Sequence, residues 1–174
     1  MTIAELSAFI RDVPDFPKKG ILFKDITPLL ANGAAFRATI HHLAERAAAR
    51  KPDVVVAIES RGFVFGAAVA ASLGIGFVPV RKPGKLPWRA RRVDYALEYG
   101  SDALEMHEDA LAPGARVVIV DDLLATGGTA EATARLAAAA GADVLGCLFV
   151  IELGFLAGRE KLAPLAVDAL IPIA

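Results

Sequence analysis

Apolar positions recur along the chain with two alternating periods. Ile3, Leu6, Phe9 and Ile10 stand at helical spacing behind Thr2 and Glu5, a pair placed as in a capping box, so a short amphipathic helix is predicted to open the chain. From Val13 to Leu30 the pattern is interrupted by Pro14, Pro17, Gly20 and Pro28, and an extended or looping lead-in is expected. Alanines and long side chains predict a second helix from Ala34 to Arg50. The β-branched run DVVVAIES at 53–60 then reads as a buried strand with an acidic end. The alternation repeats as helix 62–73, strand 75–81, strand 115–121, helix 128–140 and strand 143–151. Apolar strands separated by helices imply right-handed crossovers, so the expected fold is α/β: a doubly wound, mostly parallel sheet with helices on both faces.

The segment 82–113 departs from this rhythm. Lys82, Lys85, Arg89, Arg91 and Arg92 crowd among Pro83, Gly84 and Pro87, too polar for a core and too rich in Pro and Gly for a helix. A mobile basic loop is expected over 82–96, with a hairpin through YALEYG at 95–100 and ALEMH at 103–107. No repeat and no linker divides the chain, which reads as a single domain: a lead-in to residue 33, a core over 34–153 and a tail over 154–174.

Composition narrows the function classes. With 174 residues, 19 Lys plus Arg against 20 Asp plus Glu and a net charge of −1, this is one globular domain with no global attraction for a polyanion. Any phosphate binding must therefore be local. Cys147, alone among the apolar neighbours of CLFVI, reads as a buried thiol and fits a reducing cytoplasm. The opening MTIAELSAFIRD lacks a basic start followed by a long apolar stretch, so no signal peptide or anchor is expected. Phe63 to Val80 carries no charge, but Gly66, Gly74, Gly76 and Pro79 argue for a helix, turn and strand over a membrane span.

The most informative stretch is VVIVDDLLATGGT at 117–129. A β-branched strand ends in Asp121 and Asp122, and the chain then turns through Ala125, Thr126, Gly127 and Gly128 into an Ala-rich helix beginning near Thr129. Ligands of open α/β sheets bind at the carboxyl ends of the strands. Here the glycines let successive N–H groups approach one anion, the helix adds its positive N-terminus, and Thr126 and Thr129 can donate hydroxyl hydrogen bonds. Neither GxxxxGK[ST] nor GxGxxG is present, which sets aside triphosphate P-loops and dinucleotide folds. Two carboxylates beside a phosphate need another partner, such as the vicinal hydroxyls of a sugar or Mg²⁺. Together these features describe a ribose 5-phosphate site.

This stretch resembles the phosphoribosyl-pyrophosphate (PRPP) motif of type I phosphoribosyltransferases. FPKKGILFKDITPLL at 16–30, ESRGFVFG at 59–66, VPVRKPGKLP at 78–87 and YALEYG at 95–100 narrow the resemblance to the adenine phosphoribosyltransferase family, in its order and spacing from about Pro14 to Val150. WRARRVD at 88–94 is more arginine-rich than the family's usual loop and the tail after Leu153 is weakly matched, so no role carries over to either.

The resemblance implies transfer of 5-phosphoribosyl from PRPP to N9 of adenine, with inversion at C1′, giving AMP and pyrophosphate in a purine salvage reaction. It assigns Glu59, Ser60, Arg61 and Gly62 to pyrophosphate and implies a non-proline cis bond between Glu59 and Ser60. Arg61 can present a planar fork to diphosphate oxygens, and Gly62 would admit close backbone approach. Lys82 and Lys85, with Arg81, would neutralise the leaving group as the loop closes and excludes water. The family places Glu98 over the base as the acid/base group acting at N7, with Tyr99 beside it. Asp121 and Asp122 are then left for the ribose and its cation-like transition state. Leu22 and Lys24 would read adenine through main-chain groups, while Phe23 and Leu123 sandwich the ring. Mg²⁺ is expected on substrate oxygens, since no protein cluster has metal-ligand spacing. A homodimer is also implied, and no partner among nucleic acids or membranes. His41, His42 and His107 receive no role.

Two rival readings exist. A phosphoribosyltransferase for hypoxanthine, guanine, xanthine or orotate would share the phosphate cradle, but the base-side motifs argue against it. A PRPP-binding regulator would need a DNA-reading segment or basic surface, and neither is visible.

Overall fold

The computed structural model describes residues 1–97 and 100–174. Helix α1 (Ile3–Ser7) starts at the Thr2–Glu5 capping box, with both reciprocal hydrogen bonds formed. The proline-rich lead-in is a small antiparallel hairpin of β1 (Arg11–Pro14) and β2 (Leu22–Asp25), followed by α2 (Thr27–Ala31). Pro28, which reads as a breaker, sits in the first turn of α2, where its missing N–H costs nothing.

The core begins with α3 (Gly33–Ala49), β3 (Val54–Ile58), α4 (Arg61–Leu73) and β4 (Gly76–Val80). After the hairpin of β5 (Ala90–Leu97) and β6 (Gly100–His107) come β7 (Arg116–Leu124), α5 (Gly128–Ala139) and β8 (Asp143–Leu153). The tail is structured as well: a short turn leads into α6 (Gly158–Lys161) and β9 (Val167–Ile173). Five parallel strands form the central sheet in the order β4-β3-β7-β8-β9. No described helix is long and apolar enough to cross a membrane.

Both faces of the sheet are covered, though not alike. Leu43 of α3 and Phe65 and Val69 of α4 pack on Val55, Val118, Val120 and Val150. Opposite them, Leu136 of α5 shares the second face with Tyr95, Leu104 and Met106 of the β5–β6 hairpin, over Ile58, Ile119, Cys147 and Phe149. Helices thus lie on both faces, as expected, and a two-stranded ribbon covers the rest of one. Cys147 lies fully buried there, and burial pushes its thiol pKa up to about 12.

The ribbon corrects the reading of 82–96 as one long loop. The loop ends near Arg89, and strand begins at Ala90. Arg91, Arg92 and Asp94 are exposed while Val93 and Tyr95 turn inward, so the charges form the wet face of a half-buried strand. Arg92 donates to Asp94 from Nε and Nη2, at 3.1 and 2.8 Å. Clustered arginines mask this alternation in the sequence.

Close packing of α4 on the sheet fixes the entrance to the site. A Cβ on Gly66 would overlap that of Ala57 in β3 and stand 3.4 Å from the Phe77 ring. Gly66→Ala is therefore expected to destabilise the fold by about 1–3 kcal/mol. A denaturant midpoint equal to that of the parent protein would contradict this packing.

Candidate active site

Strands β4, β3 and β7 are neighbours and run the same way, so their carboxyl ends open into one crevice. Its volume is about 380 Å³, and its walls are Glu59, Ser60 and Arg61 after β3, Lys82 beyond β4, and the continuous run from Asp121 to Ala130, which spans the end of β7 and the start of α5. Ala125, Thr126, Gly127, Gly128 and Thr129 thus all face the same space as the two aspartates.

Two helices point their N-termini at this crevice, and no side chain caps either one. At α5 the N-cap is Gly127, held at φ 82°, a left-handed conformation that favours glycine, and no side-chain hydrogen bond reaches the first turn. At α4 the N-cap is Ser60, likewise without a side-chain cap, and the Glu59–Ser60 peptide is cis. The first-turn N–H groups have no intrahelical partners, so each end can receive an anion.

The cations around the crevice are each held by a carboxylate. Arg61 Nε donates to Asp122 Oδ2 at 2.7 Å, with Asp122 buried and the arginine half exposed. Arg81 Nε donates to Glu59 Oε2 at 2.7 Å, and Lys85 Nζ stands 3.8 Å from Glu59 Oε1. Lys82 is ion-paired with Asp102 and donates to the Tyr95 hydroxyl at 3.1 Å. Burial pulls the Lys82 pKa down, but the Asp102 and Tyr95 contacts outweigh it and the net shift is upward. Asp102 is shifted down, chiefly by its hydrogen bond with Lys82.

Asp121 behaves oppositely. Burial first, and then the neighbouring charge of Asp122, push its pKa well above the ordinary aspartate value near 3.8. Its Oδ1 accepts from the Asp122 N–H at 2.9 Å and lies 2.6 Å from where a Cβ on Gly62 would stand. Gly62 is buried against β7 and does not line the crevice. A side chain there would meet Asp121 and the Val120 carbonyl, which is a packing reason for glycine at this position.

The lead-in hairpin joins the site at one point. Arg61 Cζ sits 5.5 Å from the centre of the Phe23 ring, which makes an edge contact with Phe16 at 5.1 Å. Leu22 is exposed, and Lys24 pairs through Nζ with Asp12 at 2.6 Å, leaving its main chain as the part that could serve a base. Leu123 is on the crevice wall, while Leu22, Phe23, Lys24, Arg81 and Lys85 are outside its lining. Glu98 and Tyr99 lie outside the described residues. Sequence reasoning missed Asp102 and Tyr95, whose link to Lys82 is made only by the fold, and Gly158, which lies against the Ala125–Gly127 turn. No spacing signal marks any of the three.

Residues 25–165 match the family described as phosphoribosyl transferase domain. An adenine phosphoribosyltransferase of Synechococcus sp. (strain JA-3-3Ab) is 62% identical over 161 residues, covering 92% of this chain and 92% of that protein. The chain belongs to the adenine phosphoribosyltransferase family. The crystal structure of an adenine phosphoribosyltransferase from Thermoanaerobacter pseudethanolicus superposes with a TM-score of 0.96 at 53% identity, covering 99% of this chain and 100% of that one. The adenine phosphoribosyltransferase of Saccharomyces cerevisiae, solved with an imino-altritol bisphosphate and adenine, gives a TM-score of 0.92 at 44% identity over 97% of this chain and 98% of its own. As in these adenine phosphoribosyltransferases, the tail belongs to the fold and is not an appendage.

The raised pKa of Asp121 has a defined effect on stability. Between the unfolded and folded values the native state binds the extra proton, so this carboxyl's contribution is full below the unfolded value and is lost as pH rises through the folded one. Asp121→Asn should therefore raise the thermal midpoint more at pH 7 than at pH 4. Equal shifts at both pH values would show that the carboxyl is not strained by its burial.

Proposed function

We propose that the protein catalyses Mg²⁺-dependent transfer of 5-phosphoribosyl from PRPP to N9 of adenine, yielding AMP and pyrophosphate with inversion at C1′. The observation that carries this reading is the uncapped start of α5, which follows Asp121 and Asp122 within one crevice shared with Arg61 and Lys82. Membership of the adenine phosphoribosyltransferase family, and the yeast relative solved with adenine, support adenine as the base.

In this reading the main-chain N–H groups of Ala125 to Thr129 and the threonine hydroxyls take the 5′-phosphate. Asp121 and Asp122 face the ribose hydroxyls and the positive charge that builds as the C1′–O bond to diphosphate breaks. Arg61 and the uncapped start of α4, with Lys82, Lys85 and Arg81, take the departing diphosphate. Glu59 serves by holding Arg81 and Lys85, since a carboxylate would repel that anion. Glu98 handles the proton at N7 as N9 attacks, with Tyr99 nearby, and Phe23, Leu123 and the main chain of Leu22 and Lys24 hold the base. Mg²⁺ would arrive with the substrate and would offset the charge of the departing diphosphate. Among the described residues no group of three or more His, Cys, Asp or Glu could hold a metal, and Asp122 is already engaged by Arg61. A cytoplasmic homodimer completes the proposal, with purine salvage as its role.

Pyrophosphate release should be measured with Mg²⁺ and PRPP and, separately, adenine, hypoxanthine, guanine, xanthine or orotate. Release with adenine alone is expected, and release with another base in its place would reassign the substrate. Glu98→Gln should cut turnover by ~10²–10⁴ while sparing PRPP binding. An unchanged rate would remove Glu98 from acid/base work.

A further inference from the structure

Gly158 opens α6 directly behind the phosphate loop. A Cβ on it would collide with the Ala125 carbonyl oxygen and stand 3.0 Å from the Gly127 amide nitrogen. The contact is reciprocal, because a Cβ on Gly127 would lie 2.5 Å from the Gly158 carbonyl oxygen and 3.3 Å from Cβ of Lys161. Two glycines thus bring main chain against main chain. No flexible side chain lies between them to absorb a displacement, so the position of one segment fixes that of the other.

The tail is itself anchored at the root of the loop. Glu152 of β8 is buried and stands in register with Leu124, the last residue of β7. It accepts two hydrogen bonds from Arg159, from Nε at 3.0 Å and from Nη2 at 2.5 Å, while Nη1 donates to the Val167 carbonyl at 2.5 Å. A forked contact of this kind sets orientation as well as distance. The guanidinium therefore ties the first turn of α6 to β8 and β9 at the level where the loop leaves the sheet.

We infer that Gly158, Arg159 and Glu152 are positioning residues: the tail is a rigid backing that sets the main-chain N–H groups of the 125–128 turn for the 5′-phosphate. This rests on the proposed assignment of that turn to phosphate. The phosphate is remote from the bond exchanged at C1′ and is held alike before and during reaction. Displacing the backing therefore weakens ground and transition states together, which raises KM for PRPP and leaves kcat in place.

The test compares Gly158→Ala, Arg159→Ala and Arg159→Lys with the parent protein. Steady-state constants for PRPP and adenine are measured, together with the calorimetric Kd of AMP and of adenosine, which lacks the phosphate. Gly158→Ala should raise the AMP Kd and the PRPP KM by about tenfold or more, as small misplacements in a preorganised site do, with the adenosine Kd, adenine KM and kcat nearly unchanged. Arg159→Ala should shift the same two constants, and Arg159→Lys should recover part of the loss. Unchanged AMP binding, or equal weakening of AMP and adenosine, would overturn the inference. If Gly158→Ala fails to fold, the Arg159 pair decides by the same criterion. A parent protein that binds AMP no better than adenosine would instead refute the phosphate assignment, and the inference with it.

Discussion

The arrangement depends on main-chain amides left without partners at the starts of two helices. Each α-helix presents N–H groups that its own turns cannot satisfy, and side chains usually cap them. At α4 and α5 no side chain does so. Because β3 and β7 are adjacent and parallel, both bare ends open on the same crevice. A substrate with an anion at each end of a pentose suits that pair of ends, and the twin acids between them suit the pentose. The rest of the structure keeps these backbone groups in place: Gly66 seats α4 on β3, and the tail braces the turn before α5.

The side chains answer a second constraint, since cations cannot stand unpaired in a half-buried crevice. Asp122 holds Arg61, Glu59 holds Arg81 and Lys85, and Asp102 holds Lys82. Desolvated ion pairs add little net stability, but losing one member is expensive, so the pairs keep the site formed without ligand. Under the proposed reading, the diphosphate competes with these carboxylates for the same donors. Charge is then exchanged between partners and is never left bare. Asp121 is the exception: without a cation of its own it is shifted toward protonation, and a cation-like ribose would relieve that shift.

Much of this was legible in the sequence because it is carried by local chemistry. The strand, acid pair, glycines and helix of residues 117–129 appear where the pattern puts them, since a β-branched run and a Gly-Gly turn need no distant help. The ribbon was harder, because Arg89, Arg91 and Arg92 disguise an alternation whose apolar half, Val93 and Tyr95, finds its partners across the sheet. At Gly62 the fold adds a packing reason that the sequence does not display: a Cβ there would meet Asp121, distant in the chain and in contact only after folding. The tail lacked any signal at all. Gly158 and Arg159 acquire meaning through contacts with Ala125 and Glu152, and a pattern read along one dimension cannot display them.

The central claim concerns where a phosphate monoester sits, so the most direct measurement is a crystal structure of the protein with AMP. The account predicts the 5′-phosphate oxygens within hydrogen-bonding distance of main-chain N–H groups between residues 125 and 129, with the ribose hydroxyls turned toward Asp121 and Asp122. AMP bound with its phosphate elsewhere, whether at the start of α4 or outside this crevice, would contradict it.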